Sequence, residues 1–250
     1  MTEQLRLLDD DRPIPVSDGD CQMVIRESRR AKSLILQMIP PYTLEVVVPR
    51  GTRPRAVQQF IDDNQRWIAK AQSELRALYP AERIAPPTEI ELTAVGERWE
   101  VRYVARDSGK PRLRSMPKAI EIETTIPDDP EVCELLRQWL LAQARTYLKP
   151  WIAREARVLG VKPNSVSVRT QRTRWGSCSP RGTVSINASL LFVAPELVRY
   201  LFVHELCHLR HLNHSRRFWN AVAAYEPNFK SLDRRLTDAW SVVPVWALQR

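Results

Sequence analysis

The sequence predicts an α+β fold, with a small antiparallel sheet carrying one helix in its first half and a helix-rich second half. Three observations predict it. Short runs of alternating apolar residues crowd positions 22 to 125, apolar residues at helical spacing dominate beyond 130, and Pro127 and Pro130 stand between the two regimes. A further feature is local: all four histidines of the chain fall between His204 and His214, inside the second half.

Taken in order, residues 1–19 are polar, acidic and broken by Pro13 and Pro15, which predicts a mobile leader. Three strands are expected at Gln22 to Arg26, Ser33 to Ile39 and Tyr42 to Val48, the last two parted by Pro40-Pro41. Pro54 to Leu78 reads as one helix with Val57, Phe60, Ile61, Ile68, Ala71 and Leu75 on its apolar face. Strands at Glu89 to Thr93, Trp99 to Ala105 and Ala119 to Thr125 follow, with a turn at Asp107-Ser-Gly109. A β-rich domain over 20–126 is therefore expected, and it contains no recognisable chemistry.

The second domain is expected over 127–241, with 242–250 as a tail. Glu131 to Leu159 reads as one long helix, broken or kinked near Pro150 and stopped at Gly160. A strand at Ser165 to Thr170 precedes a hairpin from Arg172 to Asn187, turned at Ser179-Pro-Arg-Gly182. Its outer strand either pairs with an extended peptide or merely walls a cleft. Pro195 and Glu196 then open a helix whose run from Leu197 to Leu212 is apolar almost all round, so it should be buried. Helices at Arg216 to Tyr225 and through Leu232, Leu236 and Trp240 complete the chain.

Composition bounds the function classes. The hydrophobic fraction of 44% is that of a folded globular protein, and no apolar run is long enough to span a membrane. Cys21, Cys133, Cys178 and Cys207 are scattered, and Met1 to Pro15 has no apolar signal segment; both suit a cytoplasmic protein. Cys178 and Cys207, though near the histidines, read as small buried side chains. A net charge of +9 favours acidic partners, with patches at Arg26 to Lys32, Arg98 to Lys118 and Arg169 to Arg181; basic and acidic residues mingle, so nucleic-acid binding is only a secondary expectation.

The histidine cluster carries the chemistry. His204 and His208 stand one helical turn apart, roughly 6 Å along the axis, so both rings leave one face and can share one small cation. Glu205 follows His204, swung round by about 100°, where its carboxylate can hold a water without being a ligand. A catalytic zinc site needs a third protein ligand and an open fourth position. His211 would lie about 10 Å along the axis from His204 on an unbroken helix, too far to converge easily. His214 lies beyond Asn213, a residue that tolerates the left-handed conformation in which many helices end, and is favoured first. Glu226 is the second choice, as a carboxylate from the next helix. Buried ionisable groups without a partner are costly, which favours a metal over a metal-free cluster.

Three stretches together resemble the YgjP-like metallopeptidase domain family, related to the SprT-like and WLM zinc peptidases. They are Arg174-Trp-Gly-Ser-Cys178, then His204-Glu-Leu-Cys-His-Leu-Arg-His-Leu-Asn-His-Ser215, and Phe218-Trp219. Arg29-Arg-Ala-Lys-Ser33, Leu44-Glu-Val-Val-Val-Pro49 and Trp67-Ile-Ala-Lys70 are similar to that family as well, so the likeness covers nearly all of residues 22 to 240. The resemblance implies a zincin-like fold in a bacterial cytoplasmic protein, with His204, His208 and His214 as ligands of one zinc ion and Glu205 in the catalytic position. His211 stands where metzincins carry glycine and no methionine follows Met116, so that subclass is excluded.

Peptide hydrolysis on a polypeptide substrate is then the first expectation, with Glu205 as general base. Arg174, Asn187 and Tyr225 are candidates for a second oxyanion donor. The basic charge motivates two rivals: metal-dependent hydrolysis of a small anionic substrate such as a nucleotide phosphoanhydride, and a nucleic-acid-binding module with a structural metal.

Overall fold

A computed structural model describes residues 14–15, 22–39, 43–78, 85–127, 129–171 and 174–248. Most of the expected leader, the Pro40-Pro41 break, Asp128 of the expected boundary, the first two hairpin residues and positions 249–250 lie outside the described residues.

The chain forms two compact units that divide between Ile84 and Ala85. In the first, strands β1 (Ile14–Pro15), β2 (Gln22–Ser28), β3 (Ile35–Ile39) and β4 (Thr43–Pro49) make one sheet in the order β1-β2-β4-β3. The sheet is mixed, not antiparallel: β2 runs parallel to β4, and only β1/β2 and β3/β4 are antiparallel. Ile14–Pro15, expected in the leader, is a short edge strand instead. The expected single helix is two, α1 (Pro54–Asp63) and α2 (Gln65–Leu78). The break falls at Asn64, whose side-chain amide donates to the Phe60 carbonyl at 2.7 Å and competes with the helical ladder. Val57, Ile61 and Ile68 from the helices pack on Leu44, Val46 and Val48 of β4 to form this unit's core.

The second unit begins with a four-stranded sheet, β5 (Glu89–Leu92), β6 (Glu97–Ala105), β7 (Arg112–Met116) and β8 (Ala119–Thr124), in the order β5-β6-β8-β7. The boundary expected at 126–127 thus falls inside this unit. The reason is tertiary: Trp99 of β6 meets Trp139 of helix α3 (Pro130–Val158) edge to face, with ring centroids 5.2 Å apart. Asp129 caps α3 by accepting from the Glu131 amide at 2.8 Å, and the helix runs on through Pro150.

A three-stranded sheet follows, made of β9 (Ser165–Arg169), β10 (Gly176–Cys178) and β11 (Thr183–Asn187) in the order β10-β11-β9. The expected hairpin is β10/β11, and β10 is an edge strand. Helices α4 (Pro195–Cys207), α5 (Arg216–Tyr225) and α6 (Phe229–Asp238) come next. Phe202 of α4 packs edge to face on Trp151 of α3 at 5.5 Å, which seats α4 in the core. The expected tail is α7 (Val245–Leu248), all four residues buried, with the Trp246 carbonyl accepting from Arg137 at 3.1 Å. The architecture is α+β.

Candidate metal centre

Helix α4 is apolar on nearly every face, with Leu197, Val198, Leu201, Phe202, Val203 and Leu206 buried. Such a helix sinks into the core and takes its few polar side chains with it. It ends at Cys207, with His208 as its C-cap, so the two histidines of the helical pair sit on its last turn.

Turns from Leu209 to His211 then carry the chain towards α5. Asn213 does not supply a left-handed residue: among the described non-glycine residues only Lys118 has a positive φ. The reversal is made by ordinary turn geometry, and it returns the His214 ring to His204. Their Nε2 atoms lie 3.2 Å apart. Ring nitrogens of His204, His208 and His214 all come within 4.8 Å of one another.

Two further contacts orient these rings. The His208 Nδ1 lies 2.9 Å from the His211 carbonyl, which can only accept, so Nδ1 carries the proton and Nε2 is left as a lone pair. His211 therefore contributes through its backbone, and its ring is not part of the cluster. Phe218, fully buried, lies under all three imidazoles, with centroids 4.9 Å from His204, 4.4 Å from His208 and 4.9 Å from His214. Trp219 stacks on His214 at 5.5 Å.

Glu205 is buried beside this cluster, and its Oε2 has no hydrogen-bond partner among the described residues. Burial pushes its carboxyl up to about 8, against the pull of Arg174. His204 is driven down to about 3 by burial, and by His208 and His214; His208 is lowered mainly by burial too. Near neutrality those two rings are uncharged bases, the form that binds a cation.

A cavity of about 210 Å³ opens beside His204 and Glu205, walled by Arg174, Trp175 and Gly176 on one side and by Tyr200, Asp233 and Leu236 on the other. Gly176 touches the carboxylate side chain so closely that a Cβ there would lie 2.9 Å from Glu205 Cγ and Oε1. The edge strand β10 thus borders the acid directly.

Glu226 is elsewhere. It is buried in an ion pair with Arg199, which also reaches Glu155 at 3.4 Å, and it is not part of the histidine cluster. Of the three candidate oxyanion donors, Asn187 is fully spent: its amide donates to the Gln171 and Arg174 carbonyls at 2.7 and 2.9 Å, and its oxygen accepts from the Ser189 amide at 3.0 Å. Arg174 lines the cavity, whereas Tyr225 does not. The Cys207 thiol is held protonated by burial, up to about 11, and Cys178 is raised by burial and by Glu205.

Sequence reading missed Tyr200 and Asp233. Tyr200 is one helical turn before His204, a spacing that shares a face; Asp233 comes from α6, and nothing in the sequence joins it to this site.

The donor set fits a borderline-soft divalent metal: three imidazoles with converging nitrogens, and a buried acid with an orphaned oxygen. Residues 32–239 match the family model described as the YgjP-like metallopeptidase domain. The chain belongs to the YgjP-like family. The matched residues of this metallopeptidase family include the stretches Arg174 to Cys178, His204 to Ser215 and Phe218-Trp219. No curated protein matches it. Among solved structures it is similar to the metallopeptidase zymogen of Pyrococcus abyssi abylysin, at 24% identity over 41% of this chain and 93% of that one, with a TM-score of 0.31. It is also similar to the zymogen of Methanocaldococcus jannaschii jannalysin, at 18% identity over 37% and 95%, with a TM-score of 0.34. No helix among the described residues is long and apolar enough to cross a membrane.

Proposed function

We propose that this YgjP-like protein is a zinc-dependent peptidase in which His204, His208 and His214 hold one zinc ion and Glu205 is the general base. The observation that carries the reading is the convergence of three imidazoles, two of their Nε2 atoms 3.2 Å apart, beside a buried carboxylate with an unpartnered oxygen. With no ion present one ring must carry an Nε2 proton to bridge to the other, whereas a shared cation takes a lone pair from each. Zinc supplies the Lewis acidity that makes a water acidic near neutrality and polarises a carbonyl.

Glu205 performs the proton work. In its ionised form its carboxylate can take a proton from water, and the protonated acid then delivers that proton to the leaving amine nitrogen. Arg174, on the cavity wall, can donate to the oxygen that gains charge. The position of β10 as the edge strand of its sheet among the described residues, next to Glu205, favours an extended polypeptide over a small anionic ester, because backbone pairing along that edge would lay a peptide bond beside the acid.

The test is hydrolysis of an unfolded polypeptide by purified protein with and without a chelator. Cleavage should need zinc and vanish in Glu205→Gln, which should retain the metal. Undiminished cleavage by that variant would end the reading.

A further inference from the structure

We propose that Tyr200 and Asp233 are positioning residues of the metal centre, forming a two-step hydrogen-bond relay that fixes which nitrogen of His204 faces the ion. The inference rests on the reading that the three imidazoles hold a metal, and extends it to residues on two helices that are not ligands.

The relay is directional. Tyr200 has one hydroxyl proton, and it is donated to the Asp233 carboxylate at 2.7 Å, a short charge-assisted bond. The Tyr200 oxygen therefore presents lone pairs to its other neighbour, His204 Nδ1, at 3.5 Å. Only an Nδ1 that carries the proton is accepted there. That tautomer leaves the His204 Nε2 as a lone pair, and Nε2 is the atom that faces His214 Nε2 at 3.2 Å. His208 reaches the same tautomer through the His211 carbonyl. Two of the three proposed ligands are thus set for binding through Nε2 by acceptors on the far side of the ring.

Burial and packing hold the tyrosine end of the relay in place, while the Asp233 end is exposed. Tyr200 is 1% exposed and lies one turn before His204 on α4, its ring edge-on to the imidazole at 6.0 Å. Asp233 comes from α6, so the relay ties the orientation of a ligand on one helix to the docking of another. Asp233 is itself on the cavity wall. Outer partners of this kind are typically worth 10- to 100-fold in metal affinity.

The experiment measures zinc affinity of the full chain by competition with a chromophoric chelator, and records the visible spectrum of the cobalt-substituted protein. Wild type, Tyr200→Phe, Asp233→Ala and the double variant are compared, with the melting temperature of each metal-free protein as the control for folding. Each single variant should bind zinc about 10- to 100-fold more weakly, with an altered cobalt spectrum per bound ion. The double variant should be no weaker than Tyr200→Phe, because the bonds act in series. Wild-type affinity and spectrum in either single variant, or additive losses in the double, would overturn the relay. Failure of wild type itself to bind zinc or cobalt would instead overturn the metal reading on which the relay rests.

Discussion

Gly176 of β10 lies against Glu205 of α4 with no room for a methyl group between them, since a Cβ would sit 2.9 Å from both Cγ and Oε1 of the acid. Alanine at 176 must therefore displace the Glu205 side chain or push the strand outward. A shift of about 1 Å in a general base can cost ~10²-fold in rate without touching the metal. Gly176→Ala should lose peptidase activity on that order while zinc content, measured by elemental analysis, stays at the wild-type level.

The raised pKa of Glu205 links stability to pH in the metal-free protein. The native state keeps a proton up to about pH 8 that the unfolded chain releases near 4.3. The contribution to stability is therefore complete below about pH 4 and is lost as pH rises to 8. His204 acts in the opposite sense: held down to about 3, its share is present above about pH 6.5 and lost as pH falls. Comparing wild type with Glu205→Gln isolates the acid. In urea titrations of metal-free protein, the variant should gain on wild type by up to ~1 kcal/mol per pH unit between pH 5 and 8. A constant difference across that range would show that Glu205 ionises normally.

The helical half was largely legible because its apolar periodicity is strong and its packing local: the helix expected at Arg216 to Tyr225 has those bounds, with Phe218 and Val222 fully buried. What escaped is what distant residues decide. Strand β7 reads as a polar run because Arg112 and Arg114 point outward from an edge. The Trp99 to Trp139 contact, which draws the β5 to β8 sheet into the second unit, joins residues no local pattern connects. Spacing along one helix gave the pair His204 and His208, and the turn after it was expected to return His214. The mechanism expected for that turn, a left-handed Asn213, is not what the chain uses. Asp233 was invisible for the same reason as the tryptophan contact, being supplied by a separate helix.

The second choice of ligand can be tested directly. Glu226 is occupied by Arg199, and Arg199 has Glu155 as a further partner. Glu226→Ala should destabilise the fold by about 1–3 kcal/mol through loss of a charged hydrogen bond, with zinc content unchanged. His214→Ala should do the reverse, losing zinc in chelator that wild type withstands while costing little stability in the metal-free protein, since His214 is exposed. Metal analysis of the two side by side separates the roles, and zinc loss in Glu226→Ala would reinstate it as a ligand.

Trp175 immediately precedes Gly176 and anchors the start of β10. Its indole nitrogen donates to the Leu236 carbonyl at 2.9 Å, and its ring stacks on Trp240 at 4.0 Å, so β10 is tied to α6 and the turn beyond it. Replacing it tests whether that tie matters to the site as well as to the fold. Trp175→Ala removes a side chain that is 7% exposed, which should cost about 3–5 kcal/mol in a denaturant titration. Trp175→Phe keeps a stacking ring but removes the indole donor from the Leu236 carbonyl, which retains the Ala239 amide, and should cost about 0.5–1.5 kcal/mol. Because Gly176 moves with its neighbour, the phenylalanine variant should also lose activity at temperatures where it is fully folded, with zinc retained. Full activity in that folded variant would mean that the position of β10 beside Glu205 is set by its pairing with β11 alone, and not by the indole.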